Sequence, residues 1–153
     1  MARPLRSTRD ILCREETTVS LINDLALKLS DAAYEGHTFD CLPIRGEVEV
    51  LQVQVSDLDA LPIYVTATET QILCISYLFR KGELLESRLA ELNESLLEMS
   101  LPMPLSAFAI VDDFYVIYGA LSPLSILENV LKELVTLARN ANDCFQAFEE
   151  YLK

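Results

Sequence analysis

Apolar positions along this chain follow two periods. Leu21, Ile22, Leu25, Leu29, Ala32 and Ala33 fall at helical spacing, with Asn23, Asp24, Lys28 and Asp31 mostly opposite. This predicts a helix from about Thr17 or Thr18 to Tyr34, with Gly36 supplying a left-handed cap. The period then changes to two. Glu47-Val48-Glu49-Val50 and Leu51-Gln52-Val53-Gln54-Val55 both alternate, and the phase flips between Val50 and Leu51, as one strand with a bulge there requires. Phe39 to Ile44 adds a short strand, in which Pro43 argues against a central place. Asp57 to Ala60 reads as a loop or one helical turn. Pro62 opens a strand from Ile63 to Thr68, and Glu69-Thr70 turns it into Gln71 to Phe79. The run Ile72 to Phe79 is apolar on both faces, which marks a strand covered on both sides or facing an interface on its second side.

Gly82 breaks this pattern. A second helix is expected from about Glu83 to Met99. Its stripe is Leu85, Leu89, Leu92, Leu96 and Met99, and its other faces hold Glu86, Glu91, Glu94 and Glu98. Pro102 and Pro104 end it, because each restricts the residue before it to extended conformations. A hairpin follows: Ser106 to Val111, a turn at Asp112-Asp113, then Phe114 to Leu121. Gly119 inside the second strand marks a bulge or a close backbone approach. Ser122-Pro123 starts a last helix whose stripe is Leu127, Leu131, Leu134, Ala138, Ala141, Phe145, Phe148 and Leu152. The order is therefore α-β-β-β-α-β-β-α. It describes an α+β fold with one antiparallel sheet of about five strands and flanking helices. Ile63, Val65, Leu73, Ile75, Val116 and Leu131 are expected in its core.

Composition narrows the class. The 153 residues are 51% hydrophobic, which excludes global disorder and suits one soluble domain. The formal net charge is −12. Residues 1–16 carry Arg3, Arg6, Arg9 and Arg14 against Asp10, Glu15 and Glu16, a net +1, so the remainder carries −13. We read 1–16 as a flexible N-terminal extension and 17–153 as a single α+β domain. The acidic balance argues against nucleic acid and anionic membrane surfaces as partners. No apolar run is long enough to insert in a membrane, and the N-terminus lacks the apolar core of a secretory signal.

Chemistry-bearing residues are sparse. Cys13, Cys41, Cys74 and Cys144 form no C-x-x-C pair and no disulfide framework, so they read as reduced thiols of a cytoplasmic protein. His37 is the only histidine and sits in a polar turn, without a second ligand nearby. The carboxylate pairs Asp57/Asp59 and Asp112/Asp113 belong to turns, and Glu149/Glu150 to an exposed helix face. No phosphate-cradling loop and no nucleophile elbow is present. The sequence thus nominates no catalytic residue, no cofactor-binding residue and no metal ligand.

One resemblance adds to this. Leu101-Pro102-Met103-Pro104-Leu105-Ser106-Ala107-Phe108, then Phe114-Tyr115-Val116-Ile117-Tyr118-Gly119-Ala120-Leu121-Ser122, resembles the YjfI family of uncharacterised bacterial proteins. So does Leu61-Pro62-Ile63-Tyr64-Val65 before the strand Gln71 to Phe79. The resemblance spans residues 20–150 and carries over no activity. It implies a gene neighbourhood with phage-shock-type, membrane-stress proteins. The element order is also similar to that of type III secretion chaperones and the YbjN group, which are small, acidic, dimeric α+β proteins that bind other polypeptides. The expectation is a non-enzymatic, cytoplasmic, chaperone-like protein-binding module, homodimeric, that holds apolar segments of a protein partner between acidic flanks. The alternatives are a small-ligand-binding regulator and an enzyme of unrecognised chemistry. An extended apolar surface favours the first, and a pocket of convergent polar groups favours the others.

Overall fold

The computed structural model describes residues 21–153. The expected helix start at Thr17 or Thr18 and the extension 1–16 lie outside the described residues. Helix α1 occupies residues 21–30 of the described chain and buries Ile22, Leu25 and Leu29. It does not reach Tyr34. Ala33–Tyr34 is instead a short strand, β1, paired with His37 and Thr38 at the start of β2, His37–Ile44. Glu35 and Gly36 between them both have positive φ, at 50° and 86°. That is the geometry of a two-residue type I′ hairpin, so Gly36 serves a turn and not a helix cap.

Five further strands follow. They are β3 (Val50–Val55), β4 (Ile63–Ala67), β5 (Ile72–Arg80), β6 (Ala107–Val111) and β7 (Phe114–Leu121). All pair antiparallel in one sheet of order β1-β2-β3-β4-β5-β7-β6. The strand count is seven, not about five. Part of the excess is the β1–β2 hairpin, which the helical spacing of Ala32 and Ala33 hid. The expected bulge at Val50/Leu51 is absent, because residues 45–49 form a loop and the strand begins only at Val50. The register shift lies in β5 between Tyr77 and Phe79, and it turns both Leu78 and Phe79 inward.

The second helix also starts later than its spacing predicts. Two short 3-10 turns, Lys81–Glu83 and Glu86–Arg88, precede α2 at Leu89–Ser100. Leu84 between them is buried and bridges to Leu152, so this segment spends its apolar residues on the C-terminus. Helix α3 runs Leu127–Ala147, four residues past the expected Pro123 start. Its buried face is wider than the expected stripe and includes Val130, Val135 and Leu137. Phe145 is exposed, and the chain leaves the helix for a 3-10 turn at Glu149–Tyr151.

The helices cover one face of the sheet. Leu51, Val65, Cys74 and Gly119 align across β3, β4, β5 and β7, and all four are buried. Of the expected core, Ile63, Val65, Val116 and Leu131 are buried, whereas Leu73 and Ile75 are only half-buried. The reason is the pleat. Leu73 and Ile75 alternate with the inward Ile72, Cys74 and Ser76, so they point to the other face. Val116 shares that outer face through its pairing with Tyr77 and Ala109, and is buried there by its neighbours.

Candidate docking surface

No helix lies over the outer face of the sheet among the described residues. Gln52, Tyr64, Ile75 and Tyr118 align across its four central strands, and all four are half-buried. Leu73 and Thr66 pair on one side of this row and Tyr77 and Val116 on the other. Aromatic rings knit one end together. Tyr77 meets Tyr64 edge-on at 5.6 Å between centroids and Phe114 at 5.1 Å. The Arg80 guanidinium stands 4.9 Å over the Phe114 ring. A hollow of about 580 Å³ opens here, floored by Tyr64, Tyr77 and Phe114 and rimmed by Asp112 and Asp113. Both aspartates are exposed, and Asp112 takes a positive φ of 51° at the β6–β7 turn.

A second apolar surface lies at the sheet's end. Strand β6 pairs only with β7, so its outer edge is unpaired among the described residues. Leu96, Leu97, Phe108 and Ile110 line a groove of about 330 Å³ between α2 and β6, and Tyr115 closes its floor with a 2.8 Å hydrogen bond to Asn93. Leu97 is 76% exposed, Leu101 93% and Ile110 50%. The expected stripe of α2 is inward, with Leu92 and Leu96 buried, so these leucines are an additional apolar face.

The residues weighed for chemistry are scattered. His37 opens β2 and is half-buried, with Nδ1 2.9 Å from the Ser56 carbonyl and Nε2 3.3 Å from the Arg139 guanidinium. Arg139 donates to Glu35 at 3.0 Å, so the group ties the β1–β2 turn to α3. Asp57 and Asp59 hold positive φ in a turn braced by Asn142, which donates to the Leu58 carbonyl. Glu150 accepts from Arg88 at 3.1 Å, in a 3-10 turn and not on a helix face. Arg88 also binds Glu91 and stands over the Tyr151 ring, and it holds the Glu91 carboxyl below the usual carboxylate range. Cys41 lies in β2, Cys74 at the centre of β5 and Cys144 on α3.

Spacing alone does not single out Glu133. It sits on α3 at 2% exposure, and its Oε1 has no hydrogen-bond partner among the described residues. Burial raises its carboxyl to about 7. The side chain rests on Gly119, where any Cβ would collide with the carboxylate and come within 2.9 Å of the Leu105 carbonyl. Gly119 thus marks a close approach, not a bulge. A signal was present: Val130, Glu133 and Leu137 share one side of α3, so an acid interrupts an apolar stripe. Glu133 lines none of the hollows described above. Both hollows offer mainly apolar surface, and the one over Tyr64, Tyr77 and Phe114 is edged by the exposed carboxylates of Asp112 and Asp113.

Comparison with known proteins agrees with this architecture. The chain matches over residues 20–152 the family described as uncharacterized protein conserved in bacteria (DUF2170), and it belongs to that family. It is 29% identical over 114 residues to the uncharacterized protein YjfI of Escherichia coli strain K12, covering 72% of this chain and 84% of the relative. A chain of the heterodimeric ExoU-SpcU complex, from the type III secretion system of Pseudomonas aeruginosa, shares the fold with a TM-score of 0.50 at 11% identity. That match covers 83% of this chain and 93% of the other. A chain of the ExsC-ExsE complex aligns with a TM-score of 0.40 at 13% identity, over 88% and 95%. The YjfI resemblance holds, and the α+β fold with one antiparallel sheet is shared with a chain of a type III secretion complex. No described helix is long and apolar enough to cross a membrane.

Proposed function

We propose that this DUF2170 family member is a non-enzymatic, cytoplasmic, chaperone-like module that pairs with a second copy and holds apolar, basic stretches of another polypeptide. The observation that carries the reading is the outer sheet face, with Tyr64, Leu73, Ile75, Tyr77 and Tyr118 half-exposed under no helix among the described residues. Covering such a face gains about 25 cal/mol per Å² of apolar area before association entropy is subtracted. Asp112 and Asp113 at the rim favour Lys and Arg beside the apolar side chains and reject acidic segments. The stacking of Arg80 on Phe114 is an internal example of the contact a basic client side chain makes there.

Self-pairing suits the α2–β6 end. A two-fold operation brings the open edge of β6 against its own copy and covers Leu97, Leu101 and Ile110, closing a strand edge that otherwise invites aggregation. The net charge of −12 opposes this only through repulsion screened over about 8 Å at physiological salt. Fold likeness to a chain of a heterodimeric complex supports protein binding by analogy alone. A client among membrane-stress proteins rests on the family resemblance alone.

Affinity capture from the native host tests the reading. The native chain is compared with one carrying Ile75→Ser and Tyr77→Ser, both folded by circular dichroism. Proteins held by the native chain and lost by the variant are the expected result. Identical captured sets contradict it.

A further inference from the structure

Three sulfur atoms converge where the end of α2 meets α3. The Cys144 Sγ lies 3.7 Å from the Met99 Sδ and 3.9 Å from the Met103 Sδ. Both methionines are held by the backbone, since Met103 N–H donates to the Met99 carbonyl at 3.3 Å, one helical turn earlier. An i, i+4 pair on a turn faces one way, here toward Cys144. We propose that this cluster is a binding site for a soft monovalent cation, Cu(I), ligated by one thiolate and two thioethers.

Geometry, charge and access each support the assignment. Metal–sulfur bonds of about 2.3 Å to a planar three-coordinate ion set its sulfurs roughly 4 Å apart. The spacings of 3.7 and 3.9 Å from Cys144 are already close to that, so the ion needs little rearrangement of these two contacts. Thiolate and thioether ligands select soft and borderline metals, Cu(I) among them. One thiolate neutralises one monovalent charge, so the loaded site is neutral in a place where Cys144 is buried. Zn²⁺ there would leave an uncompensated charge and lack its fourth ligand. Met99 and Met103 are only half-buried and give an entry path from solvent. Binding is a plain exchange without electron transfer: the Cys144 S–H bond breaks, its proton leaves to solvent, and a Cu–S bond forms.

Anaerobic titration of the reduced full chain with Cu(I), in competition with a chromophoric Cu(I) chelator, tests this. The titration uses a Cys13→Ser/Cys41→Ser background that leaves only Cys144 and the fully buried Cys74 as thiols. One ion per chain, one proton released and a thiolate-to-copper ultraviolet band are expected. Met99→Leu and Met103→Leu keep side-chain volume and should each weaken binding at least about tenfold. Cys144→Ala should abolish the band with the fold intact by circular dichroism. Failure to compete with the chelator at micromolar Cu(I), or a Met→Leu variant that binds as the background does, overturns the three-sulfur site.

Discussion

The two faces of the sheet are built from the same strands and differ in almost everything else. The inner row Leu51, Val65, Cys74 and Gly119 is sealed under α3, and the outer row Gln52, Tyr64, Ile75 and Tyr118 is only half-covered. The inner face mixes aliphatic side chains with Phe79 and Tyr115 and is closely fitted, to the point that Gly119 leaves room for a carboxylate. The outer face is aromatic, nearly free of charge at its centre and acidic at one rim. An antiparallel sheet with one solvated face ordinarily alternates apolar with polar residues. Here Ile72, Leu73, Cys74 and Ile75 are all apolar, so β5 is built for contact on both sides. The difference separates residues that hold the fold from residues available to a partner.

The comparison breaks most visibly at α3. Leu131→Ala should cost about 2–5 kcal/mol in urea unfolding, because it empties space under the inner face. Leu73→Ala, on the same sheet but outward, should cost less than about 1.5 kcal/mol. Equal losses would erase the distinction between the faces. Gly119→Ala should cost about 3 kcal/mol, since its Cβ meets both the Glu133 carboxylate and the Leu105 backbone. Adding Glu133→Ala should restore part of that loss, and strict additivity would disprove the contact.

A smaller effect sharpens the inner face. The Glu133 carboxyl is raised to about 7 when folded, above its unfolded value of about 4.5. Its neutral form is therefore the one the fold favours. That contribution is complete below about pH 4.5 and is lost as pH rises through about 7. Glu133→Gln should remove this slope. Relative to the native chain, it should gain about 2 kcal/mol between pH 4.5 and pH 8. Parallel stability profiles would contradict a buried, protonated Glu133. The weakest expected effects concern the edge and the thiols. Sedimentation equilibrium at micromolar protein should give twice the 17.2 kDa chain mass, falling toward that mass in Leu97→Asp. Chelator and reductant should leave the unfolding midpoint unchanged, and a large drop with either would mean that the fold depends on a metal or a disulfide.

The strand runs, the Asp112-Asp113 turn and the proline-bounded ends were legible because each has a local cause. The β1–β2 hairpin was not, because Ala32 and Ala33 fit a helical stripe as well as a short strand, and only pairing with His37 and Thr38 decides. Glu47, Val48 and Glu49 alternate like a strand yet belong to the loop 45–49, because no neighbour pairs with them among the described residues. The two-faced character of β5 was readable, but not which of its faces the helices would cover. That depends on where α3 crosses, a long-range fact. The acid in the apolar stripe of α3 hinted at Glu133, but its contact with Gly119, 14 residues away, and that of Cys144 with Met99 and Met103, 45 and 41 residues away, were invisible for the same reason.

The central claim is that the outer face holds apolar, basic polypeptide. The most direct test is selection of a random displayed peptide library on the native chain, with affinities of the enriched peptides then measured against the Ile75→Ser/Tyr77→Ser variant. The enriched peptides should combine aromatic or aliphatic residues with Lys or Arg, and should lose at least about tenfold in affinity for the variant. Peptides that bind native and variant chains equally, or an enriched set dominated by Asp and Glu, would contradict it.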